Sequence, residues 1–196
     1  MKHTLFNVIT PGAAVKDVDE VFADPAYRVF EDHFDTQAVQ HCHIENPVSY
    51  AYMEAGRIVV VSSTQIPHIV RRVIGQALGI GWGNIRVIKP YIGGGFGNKQ
   101  EVLYEPLNAW ITTQVGGRPV KLECTREETF QNTRSRHPIH FDLKAAVGPD
   151  MRLMARECRA VSNQGGYASH GHAIVANAVT GFRQTYPDVL APRSEA

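Results

Sequence analysis

Apolar residues recur at helical spacing most clearly around and after Pro67. They stand three or four positions apart, as on one face of a helix: Ile66, Ile69, Val70, Val73, Ile74, Ala77 and Leu78. Proline is accepted in the first turn of a helix, and Gly79 follows the last apolar position. The pattern therefore predicts an amphipathic helix over residues 67–78.

Runs of β-branched and aromatic residues predict strands on both sides of this helix. Residues 49–53 and 58–62 are joined by Glu54-Ala55-Gly56-Arg57, which is a hairpin signal. Residues 84–89 form a further β-rich run after the helix. The order strand, helix, strand is typical of a crossover unit, and a split antiparallel arrangement is the alternative.

The rest of the chain also mixes strand and helix signals. Strands are predicted over residues 27–39 and 120–124, and a long hairpin over 138–147 and 152–162 turns at Gly148-Pro149-Asp150.

Three further segments have helical signals. One is a short segment at 15–22, one spans residues 103–115, and one begins at a capping box formed by Thr125 and Glu128. Together, the strand and helix patterns predict an α+β fold with mixed sheets, long antiparallel hairpins and packed helices.

The composition is that of a soluble globular protein of one or two domains. The 196 residues carry a formal net charge of +1, and 43% are hydrophobic. This balance predicts no bulk attraction to nucleic acid or to an anionic membrane. The first residues lack a signal-peptide pattern, and no apolar run approaches about eighteen residues, so we expect a cytoplasmic location.

The three cysteines, Cys42, Cys124 and Cys158, are too few and too widely spaced for a disulfide framework or a metal site. We therefore expect buried thiols. They also cannot hold an iron–sulfur cluster, so any electron relay would lie on another polypeptide.

Glycine is densest in the run Gly93-Gly94-Gly95-Phe96-Gly97. Because these glycines have no side chain, a ligand can approach the backbone N–H groups closely, which suits an anion or an oxo group. Phe96 would form a wall beside that ligand. Lys99 and Glu101 would bring charge to the rim of the loop.

The residues after this loop exclude two familiar nucleotide loops. Asn98 separates Gly97 from Lys99, and Gln100 stands where a phosphate-binding loop needs a hydroxyl residue. Counting from Gly93, the sixth place of a dinucleotide fingerprint is Asn98 and not glycine. The loop is then either a structural glycine turn or a less common cofactor loop.

Ser62-Ser63-Thr64-Gln65 joins a predicted strand to the predicted helix 67–78. Gln65 therefore lies at a strand-to-helix junction, where its amide either caps the helix or is aimed at a bound group. His41 and His43 are predicted on one face of a strand, as core or cofactor-lining residues and not as metal ligands.

These two motifs, in this order and at this separation, resemble the molybdenum-binding region of the xanthine dehydrogenase and aldehyde oxidoreductase family. Other segments carry the same resemblance: residues 38–45, 116–120, 125–128, 136–138 and 165–171. The similarity extends from about residue 27 to about residue 186.

The resemblance implies a partial, truncated molybdopterin cofactor-binding domain. It would occupy residues 27–186, with a lead-in segment at 1–26 and a frayed tail at 187–196. The implied cofactor is molybdenum-molybdopterin, either in the simple form or as a cytosine dinucleotide.

The resemblance also implies roles for four residues of the two motifs. Gln65 would hydrogen-bond an oxo ligand of molybdenum through its amide. Phe96, with the backbones of Gly95 and Gly97, would line the other side of the site. Gln65 and Phe96 would then be the residues nearest the metal.

Gln100 stands where purine-hydroxylating members of the family have a glutamate that orients the substrate. An amide can donate as well as accept a hydrogen bond, but it carries no negative charge. Glu101 is not a simple replacement, because adjacent residues on a helix point about 100° apart.

The implied activity is the hydroxylation of a purine or similar heterocycle with oxygen from water, and an aldehyde substrate is the alternative. No catalytic residue is predicted, because the family's glutamate base belongs to a later region, and no turnover by this chain alone is expected. Iron–sulfur and FAD groups would lie on partner subunits. A third alternative is a non-catalytic remnant.

Overall fold

The computed structural model describes residues 17–166, 168–185 and 191–195, without the side chains of 182–185 and 191–195. The chain forms two compact units. One consists of Met1–Val39 and Arg136–Ala196, and the other is Gln40–Ser135. None of the helices in the described residues is both long and apolar enough to cross a membrane.

The strands in chain order are β1 (Arg28–Asp35), β2 (Val39–Gln40), β3 (Val48–Glu54), β4 (Arg57–Ser62), β5 (Ile85–Ile88), β6 (Val120–Glu123), β7 (Ser135–Arg136), β8 (Ile139–Val147), β9 (Leu153–Ser162) and β10 (Ala191–Glu195). The helices are α1 (Val18–Ala23), α2 (Pro67–Leu78), α3 (Glu105–Gln114), α4 (Arg126–Asn132) and α5 (Gly171–Thr185). Two 3₁₀ turns cover Trp82–Asn84 and Asn98–Gln100.

The unit Gln40–Ser135 is built on a four-stranded sheet of order β5-β4-β3-β6. β3 is antiparallel to β4 and β6, whereas β4 and β5 are parallel, as a crossover through α2 requires. The core of this unit joins strand residues to residues of α2 and α3: Ala51, Ile58, Val60, Val70, Ile74, Ile85 and Ala109. The predicted hairpin and crossover unit are both confirmed.

Helix α2 begins and ends where the sequence predicts. Pro67 lies in the first turn, and Gly79 adopts φ 65° and donates its N–H to the carbonyl of Gly75. Val70 and Ile74 are fully buried. This helix fixes the direction in which the chain leaves the end of β4.

The second unit contains a four-stranded sheet of order β1-β8-β9-β10. β1, β8 and β9 are antiparallel neighbours, and β10 is parallel to β9. α1 packs near Ala146 and Ala155, and α5 packs near Ile139 and Cys158. Since side chains alternate along a strand, these two helices cover opposite faces of the sheet.

Three predictions about local structure are wrong. The strand expected over 27–39 ends at Asp35, and Val39–Gln40 is a separate short strand. Residues 41–43 are not in a strand, because Cys42 adopts φ 50°, so His41 and His43 do not share a strand face. The tail expected to fray over 187–196 instead forms β10 over Ala191–Glu195.

The capping box at Thr125 and Glu128 and the α+β class are confirmed. The predicted division into 1–26, 27–186 and 187–196 stays a prediction. Of the helix expected at 15–22, residues 15 and 16 lie outside the described residues.

Candidate functional site

The side chain of Gln65 contacts the glycine loop and does not cap α2. Its Oε1 accepts a hydrogen bond from the N–H of Gly97 at 3.1 Å. The backbone N–H of Gln65 donates to the carbonyl of Lys99 at 2.9 Å. The start of α2 is instead supported by Thr64, whose hydroxyl accepts from the N–H of Ile66 at 3.1 Å. The N-cap position of α2 is Ile66 and has no side-chain cap, so the capping alternative for Gln65 is not supported.

Gly95 packs so closely against Gln65 that no larger residue fits without movement. A Cβ atom at position 95 would lie 2.6 Å from Oε1 of Gln65 and 2.7 Å from its Cδ. Real Cβ atoms do not make contacts this short, so a larger residue at position 95 would have to displace the side chain of Gln65. The loop and the strand-to-helix junction thus share one site.

Phe96 adopts φ 51° and leaves 72% of its surface exposed. A left-handed backbone at a bulky residue costs on the order of 1–3 kcal/mol and is found most often at functional sites. With most of its surface exposed, burial of the ring offers little compensation for this strain. The ring stands at the surface of the loop, and its role as a wall beside a ligand stays a prediction.

Several hydrogen-bond donors at this site have no protein acceptor. Within the part of the chain that the structure describes, no hydrogen bond is made by the N–H groups of Gly94, Gly95 and Phe96 or by Nε2 of Gln65. A hydrogen bond within the loop stabilises its turn: the N–H of Asn98 donates to the carbonyl of Gly95 at 2.8 Å. The unused donors are therefore available to an acceptor from outside the protein.

An ion pair anchors the first glycine of the loop. Nζ of Lys99 lies 2.6 Å from Oε2 of Glu45, and the same oxygen accepts from the N–H of Gly93 at 3.0 Å. Lys99 is only 3% exposed, so it lies beneath the loop and not at its rim as the sequence predicts. Burial alone would raise the pKa of the Glu45 carboxyl, but the bonds from Lys99 and Gly93 outweigh it and lower that pKa.

A buried polar network lies next to this ion pair. Asn98 is fully buried, and its Nδ2 donates to Nε2 of His43 at 3.0 Å and to the hydroxyl of Thr133 at 3.0 Å. Nδ1 of His43 donates to the carbonyl of Glu45. Burial lowers the pKa of His43, and the nearby charges of Lys99 and Arg126 act in the same direction.

With both ring nitrogens engaged and the ring neutral, His43 is a core residue and leaves no nitrogen for a metal. This outcome confirms the sequence prediction of a core histidine at position 43.

Gln100 lies at the end of the 3₁₀ turn Asn98–Gln100, and its side chain is exposed. The neighbouring Glu101 contacts Arg134, with 3.5 Å between Oε1 and Nη1. Glu101 is therefore already paired with a cation, which supports the argument that it does not replace a glutamate at position 100.

The structure brings together the four predicted cofactor residues Gln65, Gly95, Phe96 and Gly97. They offer neutral hydrogen-bond donors and a bare main chain, which suit a group bearing oxygen acceptors and not a metal ion bound directly by side chains. The sequence did not reveal the buried ion pair, because burial of Lys99 depends on tertiary packing.

The family described as molybdopterin cofactor-binding domain matches residues 3–189 of the chain. Over 165 residues, the chain is 50% identical to a putative xanthine dehydrogenase molybdenum-binding subunit of Escherichia coli. That match covers 84% of this chain and 22% of the relative, so the chain spans about a fifth of the length of that curated protein.

Solved structures with other substrates in their names have the same fold. The aldehyde oxidoreductase of Desulfovibrio desulfuricans matches 93% of this chain and 20% of its own, with a TM-score of 0.80 and 24% identity. The CO dehydrogenase of Oligotropha carboxidovorans matches 73% of this chain and 18% of its own, with a TM-score of 0.63 and 30% identity. At 24% identity, the first match shows the fold alone.

Proposed function

Because this chain belongs to the molybdopterin cofactor-binding domain family, we propose that it forms the part of a xanthine dehydrogenase-like molybdenum hydroxylase that holds the oxygen-bearing side of the cofactor. The observation that carries the proposal is the convergence of Gln65 with the glycine loop. The site would belong to the molybdenum-binding subunit of a larger enzyme.

Each site residue has a distinct role in this proposal. Oε1 of Gln65 is held by the N–H of Gly97, which would leave Nε2 as a donor to an oxo ligand. The lack of a side chain at Gly95 lets Gln65 pack against the loop, and the N–H groups of Gly95 and Phe96 would be further donors. The exposed ring of Phe96 would form a wall beside the bound group.

When bound, the cofactor supplies hydroxylation of a carbon next to a heteroatom, with oxygen from water. The protein contributes preorganised hydrogen-bond donors. These donors stabilise the negative charge that develops on an oxygen during the reaction. The ion pair of Lys99 and Glu45 keeps the loop in place, because it fixes Gly93 at the start of the loop.

The proposed substrate is a purine or a similar heterocycle. The 50% identical relative is named as a putative xanthine dehydrogenase subunit, and Gln100 offers an exposed amide next to the loop. An amide can donate to a ring nitrogen or accept from a ring N–H, so it can orient a purine edge without a charge. The aldehyde oxidoreductase match is one of fold only and gives no support for an aldehyde substrate.

The proposed cofactor form is molybdopterin or its cytosine dinucleotide. The proposed partners are polypeptides that carry iron–sulfur clusters and FAD, since electrons leaving the molybdenum need a path. This chain has three widely spaced cysteines, of which Cys124 and Cys158 are buried.

The test is an isotope experiment on the chain assembled with the polypeptides that complete its enzyme. The assembly is incubated with xanthine, hypoxanthine or an aromatic aldehyde, together with a dye acceptor, in water enriched in ¹⁸O. We expect the isotope to enter hydroxylated purines. Turnover of aldehydes alone would contradict the purine proposal, and bound molybdenum without turnover of any of them would contradict the hydroxylase proposal.

A further inference from the structure

The tripeptide His-Phe-Asp occurs twice in this chain, and the fold places the two copies side by side. His33-Phe34-Asp35 lies at the end of β1, and His140-Phe141-Asp142 lies near the start of β8. These strands are antiparallel, with His33 opposite Asp142 and Asp35 opposite His140. Since residues two apart share a face, the four polar side chains form a square on one face of the sheet.

The polar atoms of this square are already within hydrogen-bond distance. Nδ1 of His33 lies 2.6 Å from Oδ1 of Asp142, and Nε2 of His140 lies 2.9 Å from the same oxygen. Nδ1 of His140 lies 2.7 Å from Oδ1 of Asp35. One carboxylate oxygen therefore faces two imidazole nitrogens, and one imidazole bridges two carboxylates.

We infer that His33, His140 and Asp142 form a binding site for a divalent transition-metal ion of the zinc and cobalt class. One ligand atom from each of the three residues lies within 4.8 Å of the others, so small side-chain rotations bring all three to bonding distance from one ion. Two imidazoles and a carboxylate are a donor set that Zn²⁺ and Co²⁺ accept, with a fourth position left for water.

Asp35 completes the site without binding the ion. With Nε2 of His140 directed to the metal, Nδ1–H of the same ring donates to Asp35. A carboxylate behind a metal-bound imidazole fixes the tautomer and the ring orientation and makes the ligand more basic. The ion takes the place of the protons that Asp142 shares with the two rings.

The square is accessible to solvent, and positively charged side chains lie near it. His33, at 60% exposure, and Asp35, at 78%, give an ion free access from solvent. On the other neighbouring strand, Arg159 stands opposite Asp142, and Lys144 follows along β8 near Glu31. These cations weaken the attraction for a doubly charged ion, so the site depends on direct coordination and not on bulk negative charge.

The experiment is a titration of the full chain, without an affinity tag, with Co²⁺ followed by visible absorption. Co²⁺ with a low coordination number in a protein site absorbs visible light more strongly than hydrated Co²⁺ does. We expect one Co²⁺ per chain, displaced by an equivalent of Zn²⁺. The variants His33→Gln and His140→Gln should each bind at least about tenfold more weakly, and Asp35→Asn should show a smaller loss.

Asp32→Asn is the matched control, because Asp32 is the neighbour of His33 on the same strand and points to the opposite face. His172→Gln controls for metal bound by an exposed histidine of α5. Circular dichroism of each variant checks the fold. The inference is overturned if the wild-type chain shows no cobalt bands, or if the His33 and His140 variants bind as tightly as the Asp32 control.

Discussion

Oε1 of Gln65 accepts a hydrogen bond from the N–H of Gly97, 32 residues further along the chain. This bond joins the end of β4 to the glycine loop after β5, and it orients the amide of Gln65. Because the acceptor half of the amide is used inside the protein, the donor half is left for a ligand. The proposed cofactor site therefore depends on one amide, whose oxygen bonds the protein and whose nitrogen is left for the ligand.

Two substitutions at Gln65 separate its two halves. Gln65→Glu keeps an oxygen acceptor for Gly97 but removes the Nε2 donor, whereas Gln65→Ala removes both. In the assembled enzyme, each should lower kcat by on the order of a hundredfold, as expected for the loss of one preorganised donor. Gln76→Ala, on the exposed face of α2, is the control and should leave kcat unchanged.

Thermal unfolding of the same variants gives the complementary reading. Gln65→Ala should lower the free energy of unfolding by about 1 kcal/mol through the lost bond to Gly97, while Gln65→Glu should lower it less. Equal rates for Gln65→Glu and the wild type would show that the donor half has no role.

The ion pair of Lys99 and Glu45 should contribute more to stability than the exposed ion pair of Lys121 and Glu123. Lys99→Ala leaves a carboxylate without its cation beside a buried network, and we expect a loss of about 3 kcal/mol, the lower end for a buried pair because Glu45 is partly exposed. Lys121→Ala breaks an exposed pair with Glu123 and should cost less than about 1 kcal/mol. Urea unfolding measures both losses, and equal values would contradict the anchoring role of Lys99.

Two histidines should titrate on opposite sides of their usual pKa of 6.5. Burial lowers the pKa of His43, whereas hydrogen bonds to Asp35 and Asp142 raise the pKa of His140. Proton-detected NMR of the ring signals between pH 5 and 8.5 should show His140 becoming protonated first as the pH falls. Reversal of this order would mean that the buried network around His43 is not formed.

The same shifts predict opposite effects on stability. As the pH falls below about 6.5, the unfolded chain takes up a proton that folded His43 resists, so His43 makes stability fall with pH. His140 stabilises the fold fully below 6.5 and loses that contribution as the pH rises through its raised pKa. A His140→Gln variant should therefore be more sensitive to acid than the wild type, as measured by its unfolding temperature across pH 5 to 8.

The three cysteines should differ in reactivity. Cys42 is exposed, which corrects the sequence prediction that all three thiols are buried. Burial raises the pKa of Cys124, and it raises the pKa of Cys158 to about 11. Iodoacetamide at pH 8 followed by mass spectrometry should modify Cys42 alone in the folded protein, and all three after denaturation. Early modification of Cys158 would show that α5 separates easily from the sheet that contains Cys158.

The sequence predicts this fold best where local chemistry decides the structure. Pro67, Gly79 and the capping box at Thr125 mark helix ends through their own backbone and side-chain preferences. The sequence does not predict the break in the strand near Cys42, because a positive φ at a cysteine has no local signal.

The site could be predicted in part for the same reason. The glycine run and Gln65 stand out by spacing, and the resemblance to a family connects them. The burial of Lys99, its pairing with Glu45 and the facing His-Phe-Asp tripeptides depend on which distant segments pack together. Such contacts are set by tertiary structure, which neither periodicity nor composition encodes.

The most direct test of the shared site compares two glycine substitutions in the assembled enzyme, purified from a host that makes the molybdenum cofactor. Gly95→Ala places a methyl group against Gln65, whereas Gly83→Ala meets no atom within 4 Å. Molybdenum is measured by mass spectrometry and pterin by fluorescence, with circular dichroism to confirm folding. We predict bound molybdenum and pterin in the wild type and in Gly83→Ala, and a loss of both in Gly95→Ala. Equal molybdenum in the two variants, or none in the wild type, would contradict the account.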